Sequence, residues 1–363
     1  MDRRDLSKAV FAGLAGATVV PRMAQSQTCT PSCYPQTPAE AAAQVVPVDN
    51  TRIPGDLRRY GAIGGSTSAD NRAWAAAIAQ ANAFGTSPPV IGAPIYVPAT
   101  VSGFAITAAQ TLNRPARIYG DGYLSSFLND TTDAGILILN SSSASTVIEG
   151  VGFTGFGVHA TAACLTLESA HHCVFNNIRI AGFGLGINFV SGSSYLCTIS
   201  NSRIEGNLNR NIWAATDTNG LRMIGVAFGS SGDLISPIGM SIFDSNSLYM
   251  AGCDCEGVTR VCIDIDAVNT SLPAAHVITG CHFEGNSSDL GDIRIGATKA
   301  VTGVTVISSI FAPATGALCG INAVNANGLV VMGCAHSASF PYQSGQVLLS
   351  TNLSNQFVVP ALS

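Results

Sequence analysis

The chain has 363 residues, of which 47% are hydrophobic and only 11% charged, against roughly 25% charged in ordinary proteins. Its formal net charge is −5 and its only lysines are Lys8 and Lys299, so it lacks the basic stripe that nucleic-acid binding requires. No uninterrupted apolar run reaches the 18 residues of a membrane span.

The N-terminus reads as a targeting segment. Asp2-Arg3-Arg4-Asp5-Leu6-Ser7-Lys8 precedes an apolar run from Ala9 to Val20 and then Pro21-Arg22-Met23-Ala24. Paired arginines before a moderately apolar stretch resemble a twin-arginine export signal, which assigns residues 1–24 to the signal and the chain to the periplasm or the outside. Cleavage near Ala24 removes four basic and two acidic residues and takes the net charge to about −7. Residues 25–55, rich in Pro, Ser and Thr, read as a spacer, and the remainder, 56–363, as one domain.

The domain opens with Gly55-Asp56-Leu57-Arg58-Arg59-Tyr60-Gly61-Ala62 and a Gly/Ser-rich turn. Apolar residues at Trp74, Ala77, Ile78 and Ala81 then predict an amphipathic helix over 70–84, with Asp70 or Asn71 as its cap. Pro94–Ala99 and Arg117–Gly122 read as the first strands.

From Val147 the chain repeats. Eight stretches share a short strand, a one-residue pivot and a second short strand, as in Tyr249-Met250-Ala251-Gly252-Cys253-Asp254-Cys255. The pivots fall at Gly150, Asn177, Asn201, Gly225, Gly252, Gly280, Ser308 and Gly333, in steps of 24 to 28 residues, the signature of a solenoid. Inward positions lie two before, one after and three after each pivot, so strand alternation loses phase there and the chain must turn a corner. A one-residue corner needs positive φ, which Gly takes freely and Asn tolerates. Ser308 departs from that pattern, and Asn177 and Asn201 are expected to stack and bond neighbouring backbone through their amides. A further strand register, seen in Leu165-Thr166-Leu167, Ile187-Asn188-Phe189, Ile263-Asp264-Ile265 and Ile293-Arg294-Ile295, precedes each pivot by about a dozen residues, half of one repeat. Three strands per coil predict an all-β, right-handed, single-stranded parallel β-helix of about ten coils, with three parallel sheets and a short capping helix.

Eleven cysteines need places in this scheme. Cys29 and Cys33 lie in the spacer, within reach of one another once exported. Cys253, Cys281 and Cys334 share one inward slot, and Cys173 and Cys197 another. Stacked slots lie within disulfide range, yet buried thiols acting as small hydrophobes outweigh that reading. Cys253, Cys255, Cys262 and Cys281 have no ligand histidine beside them, which argues against zinc. His171 and His172 are adjacent on a strand approach and point opposite ways, and His159 and His276 carry no recognisable context. Ser141–Ser143 and Ser191–Ser194 read as solvated turns.

Two outward faces carry the chemistry. The sheet of the Ile-x-Ile register presents Asn188, Trp213, Ser241, Asp264, Arg294 and Asn322, with Asp266 and Asp292 beside them. Here Asp264, Asp266, Asp292 and Arg294 are the catalytic candidates: one aspartate as base, or two sharing a calcium ion, with Arg294 neutralising a substrate carboxylate. Trp213, Asn188 and Asn322 are the candidates for holding a substrate. The face after the pivot presents Arg179, Arg203, Glu205, Asp254, Glu256, His282 and Glu284. Glu256 and Glu284 occupy equivalent slots on adjacent coils, about 5 Å apart, which suits a retaining glycosidase pair, with Asp254 and His282 next to them. The Glu-Gly that recurs at 205–206, 256–257 and 284–285 also reads as a turn device ending each strand.

The entry segment, the helix, the "Val-Pro" strand at Val97-Pro98 and the Gly120-Asp121-Gly122 turn, followed by the repeats, resemble the pectate-lyase-like β-helix family from about Gly55 to the end. The resemblance implies that the helix caps the open end of the solenoid. Where that family commonly has Asp-Gly and Asp-Asp-Thr, this chain has Gly65-Ser66 and Ala69-Asp70-Asn71, and the polygalacturonase motifs Asn-Thr-Asp, Asp-Asp, Gly-His-Gly and Arg-Ile-Lys do not occur. The resemblance therefore implies an exported polysaccharide lyase or glycoside hydrolase acting on a uronic-acid-containing polysaccharide. The competing expectation is a non-catalytic carbohydrate-binding or tailspike-like surface protein on the same fold.

Overall fold

The computed structural model describes residues 33–84, 94–157, 159–190, 194–214, 217–232, 234–269, 274–312, 314, 317, 320–336, 347–349 and 356–358. The expected signal segment and Cys29 lie outside the described residues. From Tyr34 onward the chain forms one compact unit.

Most strands are three residues long and alternate in burial, so the middle residue points inward. Stacking such strands in register produces three parallel sheets of 12, 10 and 10 strands. The first runs from Ile95–Val97 to Gln356–Val358, the second from Phe104–Ile106 to Ala335–His336, and the third from Gln110–Leu112 to Val347–Leu349. Each strand pairs with the strand one coil before and one coil after it, the right-handed parallel β-helix that the repeat length requires. The core is a set of columns of like residues. Phe175, Ile199, Met223, Met250, Ile278 and Val306 form one column of the first sheet, each with no solvent exposure. In the second sheet Phe283 and Phe311 stack with ring centroids 4.9 Å apart.

The corners explain the repeat. Gly150, Asn177, Asn201, Gly225, Gly252, Gly280 and Gly333 have φ between 48° and 64°. Ser308 does not escape this requirement: its φ is 49°, so a serine is held in the left-handed region by the stacked corners around it. The expected amide-to-backbone bonds are also corrected, because Asn201 Nδ2 donates to Asn176 Oδ1 of the preceding coil at 3.1 Å. The recurrent Glu-Gly is a second corner, with Gly206, Gly257 and Gly285 at φ 64°, 69° and 62°. A third corner precedes by two residues the first-sheet register position held by Val147, Val174, Thr198, Arg222, Tyr249, Val277, Thr305 and Val330. It holds Ser145, His172, Leu196, Gly220, Ser247, Ala275, Gly303 and Gly328, all at positive φ. Five of these eight are not glycine, so composition does not announce this corner.

The N-terminal end is closed by the helix Thr67–Ala83, which begins three residues earlier than expected. Trp74, Ala77, Ile78 and Ala81 are buried against the first coil, as their spacing predicts. Asp70 is not the cap but sits in the first turn, where its carboxylate accepts amides from Ile63, Gly64, Ser66 and Ala105. It ties the entry loop to the first strand of the second sheet. The expected spacer is folded from Tyr34: the helix Pro38–Ala42 starts with a Thr37/Glu40 capping box, and Glu40 forms a fully buried ion pair with Arg59 at 2.6 Å. Arg59 also donates to the carbonyls of Tyr34, Pro35 and Arg52, which satisfies its guanidinium and fixes this segment on the cap.

Candidate functional site

The third sheet builds the predicted row in the predicted register: Asn188, Trp213, Ser241, Asp264, Arg294 and Asn322 are successive partners. Its environment corrects the expectation of an open face. Asp264 is 1% exposed, and Arg294 Nε and Nη2 donate to its two oxygens at 2.9 and 2.6 Å. That bidentate geometry pairs the two groups with each other and leaves Asp264 almost fully buried. Asp266 is a backbone clamp: its carboxylate accepts amides from Ala267, Thr298 and Lys299. Asp292 is fully buried, bonded by Ser288 Oγ at 3.0 Å and approached by Cys262 Sγ at 3.7 Å, while its Oδ2 takes no hydrogen bond. Burial pushes its carboxyl up to about 6, with the bonds from Ser288 and Cys262 opposing.

The sugar-holding candidates on this sheet are similarly engaged. Arg210, which sequence reasoning passed over because it lies ahead of the Ile-x-Ile motif, places its guanidinium 3.5 Å from the centroid of the Trp213 ring and donates to Ser241 Oγ at 2.9 Å. Burial draws Arg210 down to about 10, opposed by the charge of Asp264. The other contact of Trp213 is an edge-on meeting with Phe243, centroids 6.0 Å apart. Its ring therefore serves the cation rather than a free sugar. Asn322 Nδ2 donates to the Leu290 carbonyl at 3.0 Å, and Asn188 stands half-buried at the far end of the row.

The second sheet behaves differently. Its register pairs Asp254 with His282 and Glu256 with Glu284, so four ionisable groups occupy two adjacent strands. His282 Nδ1 lies 3.4 Å from Asp254 Oδ1 and 3.7 Å from Glu284 Oε2, and the three side chains are 38%, 47% and 58% exposed. Asp254 Oδ1 is itself shut off from solvent and accepts no hydrogen bond, with the imidazole across the strand 3.4 Å away. Glu256 is exposed. Two coils earlier on the same face, Glu205 is held by both Arg179 and Arg203, at 3.0 and 2.9 Å, and is almost fully buried. Between the two groups lie Ala227 and Gly229, which keep the face flat. The arrangement offers an imidazole that orients one carboxylate, with a second carboxylate one strand spacing away: the elements of acid–base or nucleophilic chemistry on an open surface.

The remaining singled-out groups are structural. Among the described residues no group of three or more His, Cys, Asp or Glu is arranged to hold a metal ion. Of the aspartates considered for a shared calcium ion, Asp264 is bonded to Arg294 and Asp266 to backbone amides. Cys164, Cys173, Cys197, Cys253, Cys255, Cys262 and Cys281 are buried free thiols, as packing predicts. Cys173 is held protonated by its hydrogen bond to Cys197 and by burial. His276 is buried, accepts the Leu248 amide on Nδ1, leaves Nε2 without a partner and is drawn down to about 4 by burial. His171 stacks on Tyr195 at 4.9 Å and accepts its amide.

No protein-family model and no curated protein matches the sequence. Solved structures do match in fold. The Acinetobacter phage vB_ApiP_P1 tailspike protein aligns over 83% of this chain and 58% of its own, at 16% identity and a TM-score of 0.53. PfbA, a surface adhesin of Streptococcus pneumoniae, aligns over 84% of this chain and 91% of its own, at 12% identity and 0.51. ORF18 of Geobacillus virus E2 aligns over 84% and 60%, at 13% identity and 0.51. The chain thus spans about 60% of the length of the two viral proteins. With its three parallel sheets, capped entry and 24- to 28-residue coils, it shares with these structures the fold of a right-handed parallel β-helix.

Proposed function

We propose that the protein is exported and cleaves a polysaccharide by hydrolysis on the open face of the second sheet. The observation that supports this reading most is the pairing of Glu256 with Glu284 on adjacent strands, beside the His282–Asp254 pair. A strand spacing of about 4.8 Å suits carboxylates that act together with retention of configuration. Glu284, whose Oε2 lies 3.7 Å from the imidazole, serves as nucleophile. Its oxygen bonds the anomeric carbon while the glycosidic C–O bond breaks and Glu256 gives its proton to the leaving oxygen. Water then adds to that carbon, Glu256 takes back a proton, and Glu284 is released. Three carboxylates on this face oppose a uronate at the cleaved linkage, and Arg294 is paired with Asp264, so the linkage cut joins neutral sugars. The twin-arginine segment would deliver the folded protein to where such polymers lie.

A second reading, binding without cleavage, is supported by the fold likeness to a tailspike and a surface adhesin. Incubating the protein with neutral and uronic-acid polysaccharides separates the two. New reducing ends with retained anomeric configuration, abolished in Glu284→Gln and in Glu256→Gln, support hydrolysis. Retention on a polysaccharide column with no new ends supports the binder, and absorbance from unsaturated products overturns hydrolysis in favour of elimination.

A further inference from the structure

On the first sheet, a different face from the carboxylates, the strands Arg222–Ile224, Tyr249–Ala251 and Ala274–Thr279 border a groove of about 500 Å³. That volume is in the range of small-ligand sites. Arg222, Tyr249 and Val277 are register partners on three successive coils and form one side of it. Leu196, Ile224 and Tyr249 are 46%, 44% and 41% exposed there, an apolar patch of the kind that marks a binding surface.

Two features of the groove make no sense as packing. Leu196 holds a left-handed corner with φ 56°, where Gly or Asn is the unstrained choice, and it carries an apolar side chain nearly half in solvent. Neither the backbone nor the hydrophobic effect favours it. The next coil accommodates it: a Cβ on Gly220 would lie 2.7 Å from Leu196 Cδ2, so the glycine makes room for the leucine to lie across the corner as a groove wall. The second feature is Arg222. It is exposed and, among the described residues, makes no ion pair or side-chain hydrogen bond, and no acidic residue lines the groove. Seven other described arginines each hold a carboxylate of the chain itself, while Arg260, just ahead of a third-sheet strand, shares the unpaired state of Arg222.

An unpaired guanidinium beside aliphatic walls and one tyrosine ring selects a particular ligand chemistry. A carboxylate takes the fork of Arg222 bidentately, the C–H face of a pyranose packs on Tyr249, and a methyl group fills the wall of Leu196 and Ile224. A neutral sugar leaves the guanidinium unanswered, and a bare anion leaves the apolar wall wet. We propose that this groove binds an acidic sugar unit carrying an acetyl or methyl substituent, a second polysaccharide site separate from the carboxylate face. It rests on the reading of the protein as polysaccharide-active only for its biological setting, since the same polymer then carries both the anchoring unit and the neutral linkage.

Calorimetric titration of the full chain with an O-acetylated mannuronate hexamer tests it. Binding is expected, at least tenfold weaker after removal of the acetyl groups, in Arg222→Gln and in Tyr249→Ala. Leu196→Gly is the discriminating variant: it relieves the corner, so the melting temperature holds or rises while affinity falls. No binding of the O-acetylated hexamer, unchanged affinity in the variants, or equal binding of a neutral isomaltohexaose overturns the proposal. Self-association that Tyr249→Ala abolishes does so too, by assigning the groove to a second copy of the chain. Binding that persists in Glu284→Gln, whatever that variant does to cleavage, keeps this site and the carboxylate face separately testable.

Discussion

The outward rows of the second and third sheets look alike as sequence and differ as environments. Each places acids and a base at one-strand intervals: Asp254, Glu256, His282 and Glu284 in one, Asp264, Asp292 and Arg294 in the other. Yet the Glu284 side chain is 58% exposed and that of Asp264 2%. The cause lies in the connections that leave the strands. Gly257 and Gly285 turn the chain away immediately after Glu256 and Glu284, and these two lack the flanking arginines, Arg179 and Arg203, that cover Glu205 on the same sheet, so this stretch of the second sheet stays bare. On the third sheet Arg210 lies over Trp213, and the segment bearing Leu290 comes back far enough to bond Asn322. Strand alternation decides which way a side chain points; the path of the connection decides whether it meets water.

The largest effect that would break this comparison is on stability. Asp264→Ala leaves Arg294 without its partner in a largely dry setting, and is expected to cost about 3 kcal/mol, the lower end for a buried pair because Arg294 keeps some solvent contact. Glu256→Ala, on the bare sheet, is expected to change stability by no more than about 0.5 kcal/mol while abolishing cleavage. Urea midpoints measure the first and reducing-end assays the second. Similar midpoints for the two variants would show that both faces are equally solvated.

The next contrast concerns two buried titrating groups, which act with opposite sign. Asp292 has its folded value raised to about 6, so between the ordinary carboxylate value and 6 the folded state binds the extra proton, and stability falls as pH rises through that window. His276 has its folded value lowered to about 4, so between 6.5 and 4 the unfolded state binds the extra proton, and stability falls as pH drops. Each is worth about 3 kcal/mol across its window, and the two windows nearly coincide. The wild-type protein is therefore expected to melt at nearly constant temperature from pH 4 to 6. Asp292→Asn should melt progressively lower towards pH 4, and His276→Asn progressively lower towards pH 6. Parallel profiles for all three proteins would refute the compensation.

The fold was legible because a solenoid repeats its constraints. Eight pivots at near-constant spacing fixed coil length, strand number and register, and the exact partners Asp264–Arg294 and Glu256–Glu284 came with them. The carboxylate face was read correctly as a set of neighbours. What the sequence concealed was solvent access. Nothing local to Ile263-Asp264-Ile265 distinguishes a buried aspartate from an exposed one, and Arg210 acts from outside the motif that drew attention to Trp213. The groove was concealed for a related reason: its corner column tolerates Ser, His, Leu and Ala at positive φ, so no glycine repeat marks it, and the exposed Leu196 reads as one more core residue.

The smallest expected effect tests the corners that aim the bare sheet. Gly252 turns the chain into the strand Asp254–Glu256 at φ 57°, and a Cβ there would meet nothing within 4 Å. Any cost of Gly252→Val is therefore backbone strain in a β-branched residue forced left-handed, about 2 kcal/mol. Ser308 sits at φ 49° and already bears that strain with its own Cβ, so Ser308→Val adds only the crowding of a branch, about 1 kcal/mol or less. Gly252→Asn should cost least, since Asn177 and Asn201 show that the corner accepts an amide side chain at φ 51° and 48°. Val should also misaim the strand, lengthening the 3.4 Å approach of Asp254 to His282 and lowering cleavage beyond what the lost stability explains. Equal urea midpoints for Gly252→Val and Ser308→Val would mean that the corner is set by stacking alone and not by the residue that occupies it.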